Sequence, residues 1–277
     1  MMRKSTNFLT RIIQKNNFIK NKLFSIVFQY LLTNRNDAEY FVKIISDDLR
    51  SKNKNKEPNF KFTPNEEERY NWIKGLNINT ILDIGAWKGD SAVKFHSLFP
   101  EAKIYSFEPL KDCFEQLNLL SRKMSELKPF NFALGDQPSK MMMNRSSFSP
   151  SSSLLKMLAT HKTFFPFSAD ESVEEIEVRT LDSVCNEIEL KHNVLLKIDV
   201  QGYEENVLNG ALDTLKKIKI IIVELAFVQL YQGQPRFDKI YKLLSDHGFD
   251  YAGSWRQSMS PVDGQVLQQD AIFISKL

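Results

Sequence analysis

The segment TILDIGAWKGD constrains the fold of this chain more than any other stretch. Its first five residues, Thr80 to Ile84, form a short apolar and β-branched run that is typical of a buried parallel strand. A helical pattern follows at Asp90 to Phe99, and Gly85 and Gly89 bracket the turn between strand and helix. Glycine tolerates φ > 0 and lets a ligand approach the backbone closely. The segment therefore predicts an open α/β sheet with a ligand at the carboxyl end of this strand, beside Asp83.

Two further predicted strands also end at acidic residues. Lys103 to Phe107 runs into Glu108, and Pro129 to Leu134 runs into Gly135 and Asp136. Glu108 lies 108 − 83 = 25 positions after Asp83. An acid at the tip of the second strand, about 20 residues past a glycine turn, commonly binds ribose hydroxyls. The spacing therefore indicates a nucleoside-type ligand.

The next two predicted strands place a pair of carboxylates at neighbouring strand ends. Val194 to Asp199 is the fourth strand, and Ile218 to Val223 is the fifth and precedes Glu224, with Lys197 close by. A tuned carboxylate at such a position suits a general base, and Asp199 is the first candidate. Asp199 and Glu224 could instead hold Mg²⁺, which prefers oxygen ligands, although the sequence shows no third ligand. A purely structural role, in which Asp199 caps the following helix, is the remaining alternative.

The stretch from Asp136 to Glu177 is the least regular part of the sequence. It contains a serine-rich segment that is typical of a loop, and long loops in compact domains are commonly functional. We expect acceptor specificity here, from Arg145, Ser153 and the Phe164–Phe167 cluster. His161 also lies in this stretch and is the alternative general base.

Strand and helix patterns alternate through the body of the chain, which predicts a parallel sheet with helices on both faces. Two late strands, about Asp250 to Trp255 and Ala271 to Ser275, are expected to close the sheet. Cys113 and Cys185 have neither CxxC spacing nor partners for a disulfide framework, so they fit a reducing, cytoplasmic compartment. No apolar run is long enough to span a membrane, and no secretory signal is recognisable.

Charge separates residues 1–62 from the remainder. They carry 13 Lys and Arg against 5 Asp and Glu, a net of +8, whereas residues 63–277 carry 24 and 29, a net of −5. The apolar positions from Phe8 to Leu32 follow helical spacing with basic residues between them. A polar stretch, Ser51 to Asn59, is typical of a linker. We therefore predict a basic helical N-terminal extension, residues 1–62, and one domain, residues 63–277.

Two interpretations of the extension remain open. A basic amphipathic helix at residues 8–32 is suited to peripheral contact with an anionic membrane surface. The same apolar face is also suited to packing against the body of the protein, which is the more common fate of a helix with one apolar side.

Six blocks of this sequence resemble a known enzyme superfamily or one family within it. ILDIGAWKGDSAVKF, YSFEP and ALGD are similar to class I S-adenosylmethionine-dependent methyltransferases. LLKIDVQGYEENVLNGA, with IIIVELAFVQLYQGQ and DGQVLQQDAIFISK, resembles the FkbM family more narrowly, and the resemblance covers about residues 80–277. It implies a Rossmann-like, seven-stranded sheet whose last strand is antiparallel.

The resemblance also implies roles for individual residues. The glycine turn would hold the methionine part of S-adenosylmethionine, through Asp83, Gly85, Ala86 and Gly89. Glu108 would bind the ribose. Asp136 would face the adenine. The sequence contains neither the GxGxxG pattern of a dinucleotide turn nor GxxxxGK[ST] at this position, which disfavours NAD, FAD and nucleotide hydrolysis.

We therefore predict S-adenosylmethionine-dependent methylation of a hydroxyl on a sugar, a glycan or a small natural product; the preference for hydroxyls comes from the resemblance. A nucleic-acid methyltransferase is one alternative, but the acidic body has no basic stripe with interleaved aromatics. A methyltransferase-like fold that binds its ligand without turnover is the other. The sequence does not decide whether a divalent metal is required.

Overall fold

A computed structural model describes residues 71–276 of the chain, and the structure is discussed for those residues. The predicted extension, residues 1–62, with its helix at 8–32 and its linker, lies outside the described residues. The strands are β1 (Thr80–Ile84), β2 (Lys103–Phe107), β3 (Leu127–Phe130), β4 (Ala133–Leu134), β5 (Ser139–Ser146), β6 (Glu171–Arg179), β7 (Val194–Ile198), β8 (Ile218–Ala226), β9 (Phe249–Met259) and β10 (Val266–Ser275).

Most of the helices are short. They are α1 (Asn71–Lys74), α2 (Asp90–Leu98), α3 (Lys111–Ser121), α4 (Ala159–Phe164), α5 (Leu181–Cys185), α6 (Glu204–Asn209), α7 (Leu212–Leu215) and α8 (Phe237–Asp246), with 3₁₀ turns at Ser149–Ser151 and Pro166–Ser168. Within residues 71–276, none of the helices combines the length and apolar character that a membrane-crossing segment needs.

Seven strands form the main sheet in the order β3-β2-β1-β7-β8-β10-β9. All neighbours pair in parallel as far as β8, and β10 is antiparallel to both β8 and β9. The predicted seven-stranded sheet with an antiparallel last strand is thus confirmed. The strand order reverses between β1 and β7, and ligands of open α/β sheets bind at the carboxyl ends of the strands at such a reversal.

Helices cover both faces of this sheet, as predicted. Alternate residues of each strand point to opposite faces, so Leu82 and Ile84 contribute to one core with α5, α6, α7 and α8. Ile81 and Leu195 contribute to a second core with α1, α2 and α3. Asp83 and Lys197 are paired in register between β1 and β7 and share the face of Ile81. A carboxylate and an ammonium therefore stand in an otherwise apolar layer.

The expectation of an irregular stretch from Asp136 to Glu177 is wrong at its two ends. Between those ends, residues 147–170 form loops, 3₁₀ turns and α4. Strands β5 and β6 pair antiparallel over eight residues and, with β4, form a second sheet in the order β4-β6-β5. Its inner face packs on the start of α3 through a third apolar cluster that includes Met143, Ile176 and Cys113. Ile176 and Val178 alternate with acidic residues, which is the two-residue period of a β-strand. The serine-rich composition nearby obscured this pattern.

Two other predicted elements are divided. The third strand, expected from Pro129 to Leu134, is β3 in the main sheet followed by β4 in the second sheet. The sequence pattern after the fourth predicted strand also predicts one helix from about Tyr203 to Lys217, and the structure divides it into α6 and α7, with Gly210 between them. An added Cβ on Gly210 would stand 1.9 Å from the carbonyl oxygen of Gly135, so the break lets this connection lie against the chain after β4.

Candidate active site

A cavity of about 460 Å³ opens at the point where the strand order reverses. Its walls come from the turns that follow β1, β2 and β7, and from the segment between β5 and α4. We call it the main cavity. Its volume lies within the range of small-ligand and cofactor sites, roughly 300–1,000 Å³. Four predicted site residues line it: Gly85, Ala86, Glu108 and Asp199.

The glycine turn after β1 is shaped by close packing against β7. Gly85 has φ 75°, and an added Cβ there would lie 1.8 Å from the carbonyl oxygen of Asp199. Gly89 has φ 99° and would meet the side chain of Leu120 at 2.5 Å. Both glycines are therefore required by the fold itself, since the space a side chain would fill is already taken by protein.

Glu108 lies in the wall of the main cavity and is only 5% exposed. Its two carboxylate oxygens accept backbone N–H groups, from Trp87 at 2.9 Å and from Leu110 at 2.8 Å. Burial raises the pKa of Glu108 to about 7, although both hydrogen bonds favour the charged form. Each carboxylate oxygen still has a second lone pair, so Glu108 remains able to accept hydroxyl groups from a ligand.

Asp83 lies beneath the turn, fully buried, and does not line the main cavity. One of its oxygens accepts the Ser106 hydroxyl at 3.2 Å, and Oδ1 has no hydrogen-bond partner. The nearest cation is Lys197, whose Nζ is 3.6 Å from Oδ1. Burial raises the pKa of Asp83, and the attraction of Lys197 only partly opposes that rise. Asp83 can therefore influence the main cavity electrostatically from behind its wall, but it does not line the cavity.

Lys197 joins Asp83 to the cavity surface. Its Nζ donates to the carbonyl oxygen of Gly85 at 3.1 Å and lies 3.4 Å from Oδ2 of Asp199. Burial lowers the pKa of Lys197, but the carboxylates around it outweigh burial and raise that pKa to about 12. The side chain is therefore a permanent buried cation between two carboxylates.

Asp199 and Glu224 are brought together by an amide. The Nε2 group of Gln201 donates to Oδ1 of Asp199 at 2.9 Å and to Oε2 of Glu224 at 3.0 Å. Gln268 gives Glu224 a further hydrogen bond at 2.7 Å. Burial, and then the charge of Asp199, raise the pKa of Glu224 well above its usual range. The Asp199 side chain is 27% exposed and can meet a ligand directly.

A smaller recess of about 180 Å³ adjoins the main cavity near Asp199. The two share part of their walls, namely Asp90, Ser91, Lys197, Asp199 and Arg256. We call it the acidic recess, because four carboxyl side chains line it: Asp90, Asp199, Glu224 and Asp270. Burial raises the pKa of Asp270 to about 6. The recess offers a set of hydrogen-bonding groups beside the one carboxylate suited to act as a base.

The block KIDVQGYE forms the turn after β7 and fixes this arrangement. Gln201 has φ 54° and Gly202 has φ 101°, and the first residue of α6, Glu204, accepts the backbone N–H groups of Gly202 and Val200. Burial raises the pKa of Glu204 to about 7. The hydroxyl of Ser153 donates to the Gln201 carbonyl oxygen at 2.7 Å. The turn is thus held from two sides.

The segment between β5 and α4 covers the main cavity. Its 3₁₀ turn is attached to the glycine turn by a hydrogen bond of 2.8 Å from the indole N–H of Trp87 to the Ser149 hydroxyl. Phe148 lines the cavity, is 44% exposed and meets Phe167 edge to face at 5.1 Å. Arg145 is paired with Asp112 and Glu174.

Several predicted site residues lie away from the main cavity. Asp136 is exposed and, like Gly89, is not among the residues that line it. His161 is 3% exposed and lies between the hydroxyls of Tyr231 and Ser168. Burial lowers the pKa of His161 to about 4. The structure therefore places His161 behind Tyr231 rather than at the cavity surface.

Sequence reasoning gave no role to three residues that build the site. Trp87 lies within the glycine turn and donates its backbone N–H to Glu108. Gln201 and Tyr231 lie in the blocks KIDVQGYE and LYQGQ, which were noted only for their resemblance to a family. In each block a polar residue lies within an apolar run that is expected to be buried. Buried polar groups need hydrogen-bond partners, and this requirement is the sequence signal that could have identified these residues.

The metal alternative gains no support from the geometry. In the described part of the chain, no three His, Cys, Asp or Glu side chains converge in an arrangement suited to a metal ion. The space between Asp199 and Glu224 holds the Gln201 amide, whose two hydrogens both point to carboxylates.

Comparison with known proteins bears on this site. Residues 83–251, more than half of the chain, match the family described as the methyltransferase FkbM domain. The predicted resemblance is thus confirmed.

Named relatives and a solved structure are also similar. The 2-O-methyltransferase NoeI of Sinorhizobium fredii is 29% identical over 174 residues, which are 59% of this chain and 70% of that protein. The hexuronic acid methyltransferase AglP of Haloferax volcanii is 30% identical over 168 residues, 58% of this chain and 57% of that protein. The crystal structure of methyltransferase FkbM from Methylobacillus flagellatus KT has a TM-score of 0.43 and 13% identity, over 72% of this chain and 44% of that one.

Proposed function

Because this chain belongs to the methyltransferase FkbM domain family, we propose that it methylates a hydroxyl group of a sugar or glycan with S-adenosylmethionine as the methyl donor. One observation carries the proposal. Asp199 is a partly exposed carboxylate that lines both the main cavity and the acidic recess. A donor in the first and an acceptor in the second would meet at this side chain.

The chemistry of the main cavity fits S-adenosylmethionine. Glu108 would accept the ribose hydroxyls, since a carboxylate can bind two adjacent hydroxyls at once. Apolar walls at Phe107, Leu110 and Leu134 suit a purine ring. The turn at Gly85 and Ala86 would hold the methionine end, beside the buried charges of Asp83 and Lys197. The other predicted contacts, Gly89 and Asp136, lie outside the lining and form no part of this proposal.

S-adenosylmethionine supplies an electrophilic methyl group on a sulfonium centre. An alcohol oxygen is a weak nucleophile until its proton is removed, so the protein must provide a base. Asp199 is suited to this role, because its side chain is partly exposed and its two oxygens are held in place by Gln201 and Lys197. In the proposed reaction the acceptor oxygen would bond to the methyl carbon as the carbon–sulfur bond breaks, S-adenosylhomocysteine would leave as a neutral thioether, and Asp199 would take the hydroxyl proton.

The named relatives support a saccharide acceptor. NoeI is named as a 2-O-methyltransferase and AglP as a hexuronic acid methyltransferase. Carboxyl side chains like those of the acidic recess are common partners of hydroxyl donors. The acceptor of this chain is therefore proposed as a polyol bound by several such groups.

The experiment is a transfer assay. The full chain is incubated with S-adenosylmethionine carrying a labelled methyl group and a panel of saccharides, and the products are identified by mass. Label on a saccharide hydroxyl supports the proposal. Tight donor binding with no transfer to any saccharide, nucleic acid or small natural product would instead favour a binding module. Transfer to RNA or DNA would replace the saccharide proposal.

We further propose, from the sequence alone, that residues 1–62 are a separate extension and that residues 8–32 contact anionic membranes. Lys and Arg near such a surface contribute about 1 kcal/mol each. Sedimentation with anionic liposomes, compared between the full chain and a chain lacking residues 1–62, tests this. Liposome binding that persists after the deletion, or is absent from the full chain, contradicts the proposal.

A further inference from the structure

Five side chains form a continuous hydrogen-bonded chain that starts deep in the protein and ends at the main cavity. The ring nitrogens of His161 lie 3.3 Å from the hydroxyl of Ser168 and 3.2 Å from that of Tyr231. Tyr231 donates toward Oε1 of Gln201 at 3.0 Å, and Gln201 donates to Asp199 at 2.9 Å. Ser168 and Tyr231 are fully buried, and only the Asp199 end is accessible.

Two carboxylates and the Tyr231 hydroxyl together fix the way the Gln201 amide points. With Oε1 toward the hydroxyl, both Nε2 hydrogens meet carboxylates. With the amide turned over, its oxygen would face the two carboxylates and its NH₂ group would face the hydroxyl. The first arrangement gives both Nε2 hydrogens an acceptor and leaves the single Tyr231 proton shared between Gln201 and the Ser151 carbonyl oxygen, whereas the second places the amide oxygen against two carboxylates.

Tyr231 is itself held rigidly. Its backbone N–H donates to Oε1 of Gln234, and its ring lies 5.2 Å from the ring of His161. Its hydroxyl also reaches the Ser151 carbonyl oxygen at 2.9 Å. His161 therefore contacts the part of Tyr231 that orients Gln201, although it has no contact with the main cavity.

We infer that His161, Tyr231 and Gln201 act as a positioning relay that keeps Asp199 aimed at the acceptor, with Glu224 held beside it. The inference rests on the proposed function, because it assigns the means by which the proposed base is kept in place. It gives His161 a role as an anchor, acting through Tyr231, in place of a role as a base.

Many charges act on Asp199, so the contribution of the relay must be isolated from them. Elements packed around Asp199 contribute Asp83, Lys197, Glu204, Glu224, Asp270, Arg256, Asp90 and Lys94. Removing the hydroxyl of Tyr231 deletes none of these charged groups, and among them only Glu224 shares the Gln201 amide with Asp199. A hydrogen bond to a charged carboxylate favours its ionised form, so a released amide should raise the pH at which Asp199 loses its charge.

The test is Tyr231→Phe, which removes one oxygen and keeps the ring against His161. We expect kcat to fall about tenfold or less, with unchanged affinity for S-adenosylmethionine. We also expect the acidic limb of the kcat profile to move up by about one pH unit. The matched control is Tyr105→Phe, which removes another buried tyrosine hydroxyl, bonded to the Glu189 carbonyl at 3.0 Å, far from the cavity lining.

A double-variant cycle separates an anchor from a base. His161→Phe should lower kcat in the wild-type background but add nothing in the Tyr231→Phe background, since both act through one chain. If His161 were the base, its loss would reduce kcat by roughly 10²–10⁴ in either background, and the relay would be overturned. An acidic limb that stays in place in Tyr231→Phe also overturns it.

One readout needs no turnover. In a carboxyl-carbon NMR titration, the midpoint of Asp199 should rise in Tyr231→Phe and stay in place in Tyr105→Phe. This keeps the relay testable even if no saccharide is methylated, so its failure is distinct from failure of the proposed function. If Tyr231→Phe does not fold, Gln201→Met should give the same rise, and an unchanged midpoint there rejects the relay.

Discussion

Glu108→Gln is expected to weaken binding of S-adenosylmethionine by about 1.5–3 kcal/mol. The Glu108 carboxylate accepts two backbone N–H groups within the lining of the main cavity. An amide replaces one accepting oxygen with a donor, which must then face either the N–H of Trp87 or that of Leu110. The charge is lost as well, and hydrogen bonds to charged groups contribute about 1.5–3 kcal/mol each. That range corresponds to a dissociation constant raised about 10- to 150-fold.

The matched control is Glu204→Gln. Glu204 is equally buried, also accepts two backbone N–H groups and also has a pKa raised by burial to about 7, but it does not line the cavity. Both backbone bonds reach the same oxygen of Glu204, and a glutamine carbonyl can keep them. We expect this variant to retain the wild-type dissociation constant in calorimetry. Equal weakening by the two variants would show that a general loss of stability, rather than a ribose contact, explains the result.

The pH dependence of binding gives a second, independent readout. Burial raises the pKa of Glu108 to about 7 in the free protein, and a diol binds better to the ionised carboxylate. The dissociation constant should therefore rise as the pH falls below about 7, and this dependence should disappear in Glu108→Gln. An unchanged dissociation constant and an unchanged pH dependence in the variant would remove Glu108 from the donor site.

The remaining predictions concern stability. Burial raises the pKa of Glu108 and Glu204 to about 7 and of Asp270 to about 6, so the folded state binds more protons than the unfolded state. The free energy of unfolding should therefore fall as the pH rises from about 4.5 to 7 and level off above that; thermal melts at constant ionic strength check this, and a rising profile contradicts it. Gly85→Ala should destabilise far more than the roughly 1–2 kcal/mol of a left-handed alanine, because its Cβ would meet backbone at 1.8 Å. Gly233→Ala, with φ 79° and nothing within 4 Å, should show only that smaller cost in denaturant titrations, and equal losses would refute the packing argument.

The parts of the fold that were predicted from sequence are those in which local signals agree. Strands β1 and β2 have the predicted bounds, because each is a short apolar run with a sharp end, at Gly85 and at Pro109. The antiparallel β10 was predicted only through resemblance. The second sheet was missed because β5 is rich in methionine and serine and pairs with β6 across 25 residues or more. Pairing of that kind leaves no local pattern.

The site residues also separate into those that local sequence signals located and those that they did not. Glu108 and Asp199 were predicted to lie at strand ends, and strand ends meet at one edge of a parallel sheet. Asp83 follows the same rule, yet its side chain points into the buried layer with Ser106 and Lys197. The direction in which a side chain points near the end of a strand depends on packing against other elements. The sequence showed that His161 is a residue type suited to acid–base chemistry, but it did not show where the side chain lies. Its burial behind Tyr231 is seen only in the three-dimensional structure.

The central claim is that Asp199 removes the acceptor proton at the junction of the main cavity and the acidic recess. Asp199→Asn tests it most directly, because the amide oxygen can still accept from Gln201 while the basic group is gone. At saturating donor and acceptor, the account predicts a fall in kcat of roughly 10²–10⁴, with the fold and the affinity for S-adenosylmethionine retained. A variant that transfers methyl groups at the wild-type rate would contradict the account.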